Sequence, residues 1–360
     1  MSAIAVSADT HGKSSVIPKR NQTMELCKFI ASFFVVFIHA PFPGKLGGLV
    51  DCLARFAVPM FFMISGYFNY QATSRQVLRR LKHILALFLI GALFRQFCIC
   101  LSIELNGGST IAHLLTVIPE SDEIMRLLIL QIPPYTGHLW YLCAMMVCYL
   151  IFWLFVRFQE ECRANYTVFY VLGGALFSIF FALDVIAPAS GAMELGIHMR
   201  NGWFFGLPLF ASGVFIHQYQ QQILRIFSSS AWKLTVVIGL GMLLSILQWD
   251  SLGIGILPFG TIFEVAALML LMISHPQVPF LGEKAACTLG ALSMWIYLLH
   301  LPLYLFFRDF FREPFLTMFP KMGTYLEPLV IAAISLVAAG IFECLSRVIK
   351  KYFRYAARRK

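Results

Sequence analysis

The sequence predicts an all-α fold: a polytopic bundle of about ten transmembrane helices with both termini on the cytoplasmic side. Three observations lead there. The 360 residues are 59% hydrophobic and only 13% charged, with a mean hydropathy of +0.77, whereas a soluble domain carries about 25% charged residues. Stretches of about 20 mainly apolar residues, the length that crosses a bilayer as a helix, recur along the whole chain. The basic residues also fall on alternate sides of these stretches, as the excess of Lys and Arg in cytoplasmic loops requires.

Ten such stretches are placed near 25–42, 52–72, 83–103, 138–157, 166–187, 201–218, 231–249, 252–274, 286–307 and 326–347. With the N-terminus inside, nineteen Lys and Arg fall on inner segments and six on outer loops, and Lys28, Arg55 and Arg95 lie within spans. An even number of spans follows. The +10 net charge is then a matter of orientation and of attraction to anionic lipid, and no nucleic-acid partner is needed to explain it. Residues 1–20 are polar, with no apolar core of a signal peptide, and read as a short disordered cytoplasmic leader. Residues 21–350 form the membrane domain and 351–360 a basic cytoplasmic tail. The long outer loop, 104–137, carries two apolar patches that predict a pair of re-entrant or interfacial helices. The nine cysteines lie mostly inside spans with no C-x-x-C pair. They read as packing residues, and neither a disulfide framework nor a metal site is expected.

Ionisable side chains inside a span cost at least about 2.5–3.5 kcal/mol each at the bilayer centre, which directs attention to the first span. There the chain reads E-L-C-K-F-I-A-S-F-F-V-V-F-I-H, with Glu25, Lys28 and His39. At 100° per residue, eleven residues bring a helix back to within about 20° of one face. Lys28 and His39 therefore share a stripe that also holds Glu25, Ser32 and Val35, and stand about 16–17 Å apart along the axis. An ion pair at i and i+3 accounts for Glu25 and Lys28. It leaves His39 unexplained. Of the other polar residues in spans, Arg55 reads as snorkelling to the outer surface, and Arg95 as an interior cation that meets Glu25, Glu264 or a bound anion.

K-F-I-A-S-F-F-V-V-F-I-H, a base and a histidine with ten residues between them, resembles the signature of the membrane acyltransferase 3 family. Four further stretches resemble that family in order: V-P-M-F-F-M-I-S-G-Y-F (58–68), S-R-Q-V-L-R-R-L-K (74–82), G-H-L-W-Y-L (137–142) and S-M-W-I-Y-L-L-H-L-P-L-Y (293–304). The likeness spans about residues 20–350. It departs in L-K-H-I-L, where the family more often has Arg-hydrophobic-Pro, and no fused SGNH or racemase domain follows the last span.

The resemblance implies an integral-membrane enzyme that moves an acyl group, acetyl being the expected one, from cytoplasmic acyl-CoA to a hydroxyl of an extracytoplasmic glycan or glycolipid. The implied setting is a multi-pass cell-membrane protein, in the bacterial inner or plasma membrane, with the bilayer as its other partner and its oligomeric state open. His39 would be the catalytic base or acyl carrier, assisted by Lys28 and Glu25. Arg75, Arg79, Arg80, Lys82 and Arg95 would bind the donor, since guanidinium groups suit phosphate. Ser65, His138, Trp140, Tyr141, Glu264 and His300 would line the substrate path. A secondary transporter or flippase using the same polar residues as a path is the alternative.

Overall fold

The computed structural model describes residues 20–116, 119–162, 165–190, 198–227, 230–252 and 256–357. The expected leader therefore lies outside the described residues apart from Arg20, and the tail is described to Ala357. The described residues are mostly helical, with no strand among them.

Helix α1 (Gln22–His39) begins where Asn21 accepts a hydrogen bond from the Met24 amide at 2.9 Å, satisfying one of the free donors of a first turn. Its start is fixed from outside as well, because the Gln22 amide donates to the Pro276 carbonyl at 2.8 Å and Gln22 Oε1 accepts from the Val278 amide at 2.9 Å. The second crossing is broken into α2 (Gly44–Ala54) and α3 (Ala57–Tyr67), where the sequence predicts one continuous span at 52–72. Pro59 supplies the reason. It has no N–H for the Arg55 carbonyl four residues back, and its ring crowds that carbonyl. The break sets Arg55 beside the end of α1.

Helix α4 (Ser74–Leu105) opens with a full capping box between Thr73 and Gln76. Two short helices, α5 (Thr110–Thr116) and α6 (Ser121–Met125), follow in the long loop. Two helices thus stand in the loop where a pair was expected, with Ile111, Leu114 and Met125 exposed on them. Next come α7 (Trp140–Cys162), α8 (Tyr166–Ser190) and a π turn, Gly202–Gly206, that leads into α9 (Leu207–Ile226). The bundle closes with α10 (Ala231–Leu252), α11 (Phe259–Ser274), α12 (Glu283–Phe310), the short α13 (Arg312–Met318) and α14 (Gly323–Ala357).

Eight helices among the described residues are long and apolar enough to cross a membrane, counting α2 and α3 together. They coincide with eight of the ten expected spans. The expected sixth span and the helix within the expected eighth, Phe259–Ser274, miss that measure. In α9 the second half turns polar, H-Q-Y-Q-Q-Q at 217–222, and α11 has 16 residues.

Around the first span, α1 packs on α12, α12 on α14, and α4 on α7. Helices α3 and α9 approach each other closely. A Cβ on Gly66 would stand 1.9 Å from the Phe210 carbonyl oxygen, and one on Gly213 would stand 2.0 Å from that of Met63. Only glycine lets the backbones meet this closely, which explains the glycine of the I-S-G-Y stretch. Outward-facing apolar residues such as Leu93, Val168 and Val337 are exposed, as a lipid-facing surface would have them.

Candidate active site

Polar residues of the first span divide between two cavities at opposite ends of the bundle. Glu25, Ser32 and Val35 are buried along one face of α1, so the stripe does face inward. Lys28 borders a large cavity of about 1000 Å³, and His39 a smaller one of about 450 Å³.

At the Lys28 end, the Glu25 carboxylate sits between two cations, 2.7 Å from Lys28 Nζ and 2.9 Å from Arg20 Nε. Gly290 on α12 makes the room: a Cβ there would stand 1.7 Å from Glu25 Oε2. The cavity wall carries six cations, Arg20, Lys28, Arg80, Lys284, Arg347 and Lys350, against the carboxylates of Glu283 and Glu343. Glu343 is engaged with Arg347 at 2.7 Å and accepts from the Trp295 indole at 3.1 Å. The remaining excess is positive, with Lys28 and Arg80 half-buried and Arg20, Lys284, Arg347 and Lys350 exposed around them. Arg80 is held in place by the Phe68 carbonyl (2.8 Å) and Asn69 Oδ1 (2.6 Å). Asn69, fully buried, donates to the Ser65 carbonyl at 2.7 Å and reaches the Tyr149 hydroxyl at 3.4 Å.

At the other end, three histidines from three helical segments come together. The rings of His39 and His300 are 5.2 Å apart between centroids, and those of His138 and His300 are 5.8 Å apart. His300 Nδ1 lies 2.8 Å from the Tyr297 carbonyl and 3.1 Å from that of Ile296. Carbonyls only accept, so Nδ1 carries the proton and Nε2 is left as a buried acceptor with no partner. His138 is buried with neither ring nitrogen bonded. Its ring lies by the Leu298 carbonyl, which lacks a helical donor because Pro302 has no N–H. His39 is only half-buried, makes no hydrogen bond to a described residue, and opens onto the smaller cavity. A free imidazole nitrogen facing an accessible cavity can accept a proton or attack a carbonyl.

Arg55 and Arg200 share that cavity. Arg55 pairs with Asp51 at 2.6 Å and Arg200 lies 4.7 Å over the Trp140 ring. Arg55 is thus part of the His39 cavity wall, where the sequence reads it as snorkelling to the surface.

The structure brings together His39, His138, Trp140, Tyr141 and His300 at one end, and Glu25, Lys28, Ser65 and Arg80 at the other. It does not bring in the rest. Arg75, Arg79 and Lys82 are exposed and border neither cavity. Arg95 is half-buried on α4. It forms no ion pair with Glu25 or Glu264, and the charges it feels are Asp309 and Arg308. Glu264 is buried on α11 and borders neither cavity. Among the described residues no group of three or more His, Cys, Asp or Glu is arranged to hold a metal ion, and all nine cysteines are free.

Several residues of the two cavities were not singled out from sequence. Tyr297 gave a weak signal, since it lies three residues before His300 and so on the same helix face. Lys284, Arg347 and Lys350 carried only the charge-asymmetry signal, which orientation already explains. Arg347 and Lys350, also three apart, share the face of α14 that borders the cavity.

A family model described as an acyltransferase domain matches residues 21–344. No curated protein and no solved structure matches the chain.

Proposed function

The chain belongs to the acyltransferase 3 family, and from that premise we propose that it transfers an acyl group, acetyl in the first instance, from cytoplasmic acyl-CoA to a hydroxyl of a glycan or glycolipid on the far side of the membrane. That it is a multi-pass membrane acyltransferase is given by the family and the apolar helices together. Donor, acceptor, sidedness and residue roles are the proposal, with a bacterial inner or plasma membrane as its setting. The observation that carries it is the division of one helix between two cavities, Lys28 in a basic recess and His39 in a recess that His138 also lines, with the His300 ring packed against both histidines.

The basic recess suits the phosphates of coenzyme A, and its about 1000 Å³ is at the upper end of the roughly 300–1,000 Å³ typical of ligand sites. Arg80 and Lys28 are fixed by their partners, so they present donors at little further ordering cost. At the other end His39 has a free ring nitrogen. As general base it takes the proton of the acceptor hydroxyl while that oxygen attacks the thioester carbonyl. The C–O bond forms, the C–S bond breaks, and the thiolate leaves with the proton that His39 returns. A covalent acyl-histidine is the other route, in which His39 first displaces the thiol and the acceptor then displaces His39. His300, its tautomer fixed with Nε2 as acceptor, is suited to receive a hydrogen bond from His39 and to hold that ring as it gains charge.

The reading predicts which cations matter. Lys284→Ala and Lys350→Ala are expected to raise KM for acetyl-CoA about tenfold, the cost of roughly one charged hydrogen bond, with kcat near wild type. Arg79→Ala is expected to stay within about twofold, since Arg79 does not border the recess and a surface charge away from the ligand contributes little. Label transfer from acetyl-CoA into the glycan and lipid fractions of membranes measures both. Equal effects of all three substitutions would count against a donor site in the basic recess.

A further inference from the structure

The two cavities are lined by different residues except for two: Tyr141 of α7 and Tyr297 of α12 border both. Their rings meet edge to face, 5.5 Å between centroids at 78°. Each is fixed from behind. The Tyr297 hydroxyl donates to the His138 carbonyl at 2.9 Å in a buried position, and Phe62 packs edge-on against Tyr141 at 4.8 Å. Buried aromatic pairs of this kind hold their geometry, because ring displacement loses both contact area and the edge-to-face attraction.

We infer that Tyr141 and Tyr297 form a partition, one aromatic pair thick, that sets the length of acyl group able to pass from the donor cavity to His39. This rests on the donor reading proposed above. A thioester whose coenzyme sits in the basic recess must present its carbonyl at this pair to be reached from the His39 side. A two-carbon group needs only a small separation of the rings. A chain of six carbons must lodge beyond them, in a cavity of about 450 Å³ that also has to admit the acceptor. Longer acyl groups therefore bind through their coenzyme but are not transferred. The pair acts by size exclusion and supplies no group to the bonds that change.

The test uses the full chain in its own membranes, which supply the acceptor, with acetyl-, butyryl- and hexanoyl-CoA labelled in the acyl group. In wild type, hexanoyl-CoA is expected to inhibit acetyl transfer at a concentration within about threefold of the KM for acetyl-CoA, yet to be transferred at least about tenfold more slowly. Tyr141→Ala and Tyr297→Ala are expected to raise the hexanoyl-to-acetyl rate ratio about tenfold, while Tyr141→Phe, which keeps the ring, leaves it unchanged. A ring serving only to stabilise the fold would lower all rates alike and leave the ratio fixed. The wild-type comparison needs no variant to fold. Equal wild-type transfer of acetyl and hexanoyl groups would overturn the partition and spare the donor reading. Absence of transfer from every acyl-CoA would overturn both.

Discussion

Replacing His39 by alanine is expected to lower acyl transfer by about 10²–10⁴-fold, the range over which a positioned acid or base acts, while leaving the folded protein and its affinity for acyl-CoA intact. The second half of that expectation comes from the surroundings of His39. It makes no hydrogen bond to a described residue and is only half-buried, so its removal leaves no orphaned partner and enlarges an existing cavity. Acyl-CoA would bind at the other end of the bundle, at Lys28, beyond the two tyrosines. Transfer of label in membranes, together with the melting temperature of the purified protein and its coenzyme A affinity, separates these effects. A variant that transfers at the wild-type rate removes His39 from the chemistry. One that fails to fold, or loses coenzyme binding equally, assigns it a structural role.

Gly290→Ala is expected to damage the donor site from a position that carries no charge. Its Cβ would stand 1.7 Å from Glu25 Oε2, so the carboxylate has to turn away and give up its 2.7 Å contact with Lys28. Overpacking of this kind costs about 1–3 kcal/mol of stability. The displaced pair adds to this, since Glu25 is buried and cannot find water instead. KM for acetyl-CoA is expected to rise about tenfold, as for loss of one charged contact. Gly340→Ala is the control, since a Cβ there meets nothing within 4 Å. It is expected to be neutral or slightly stabilising, because alanine favours a helix over glycine by roughly 0.5–1 kcal/mol. Thermal melting in detergent compares the two. Matching melting temperatures would mean that Glu25 relaxes freely and that its pairing with Lys28 is loose.

What could be read from the chain follows the range of the forces involved. The face shared by Glu25, Lys28 and His39 is a local property of helix geometry, and the structure keeps it. The near-continuous apolar runs likewise mark the spans, because a backbone in lipid must satisfy its own hydrogen bonds. The break in the second crossing was also within reach, since Pro59 forces it. Its consequence was not, because Arg55, at the end of α2, meets the His39 cavity only through the packing of α2 and α3 against α1. Arg95 shows the limit from the other direction. Burial and charge mark it as interior, but its position along and around α4 puts it near Asp309 and Arg308, away from Glu25 and Glu264. The basic loop misled for a related reason. Four cations in nine residues look like one phosphate site, yet on a helix they point in different directions, and only Arg80 turns to the cavity. The cations that complete the recess come from α12 and α14, more than 200 residues away in sequence. Cavities built from distant segments leave no periodic trace.

The central claim is that the acyl group enters at the Lys28 end and leaves at the His39 end. Sealed vesicles of both orientations, given acyl-labelled acetyl-CoA in the outer medium only, test it most directly. The account predicts acyl esters on glycan or lipid facing the lumen of inside-out vesicles, free coenzyme A accumulating outside, and no reaction in right-side-out vesicles. Esterification at equal rates in the two orientations, or intact acetyl-CoA appearing in the lumen without esters, would contradict it, the latter in favour of a transporter.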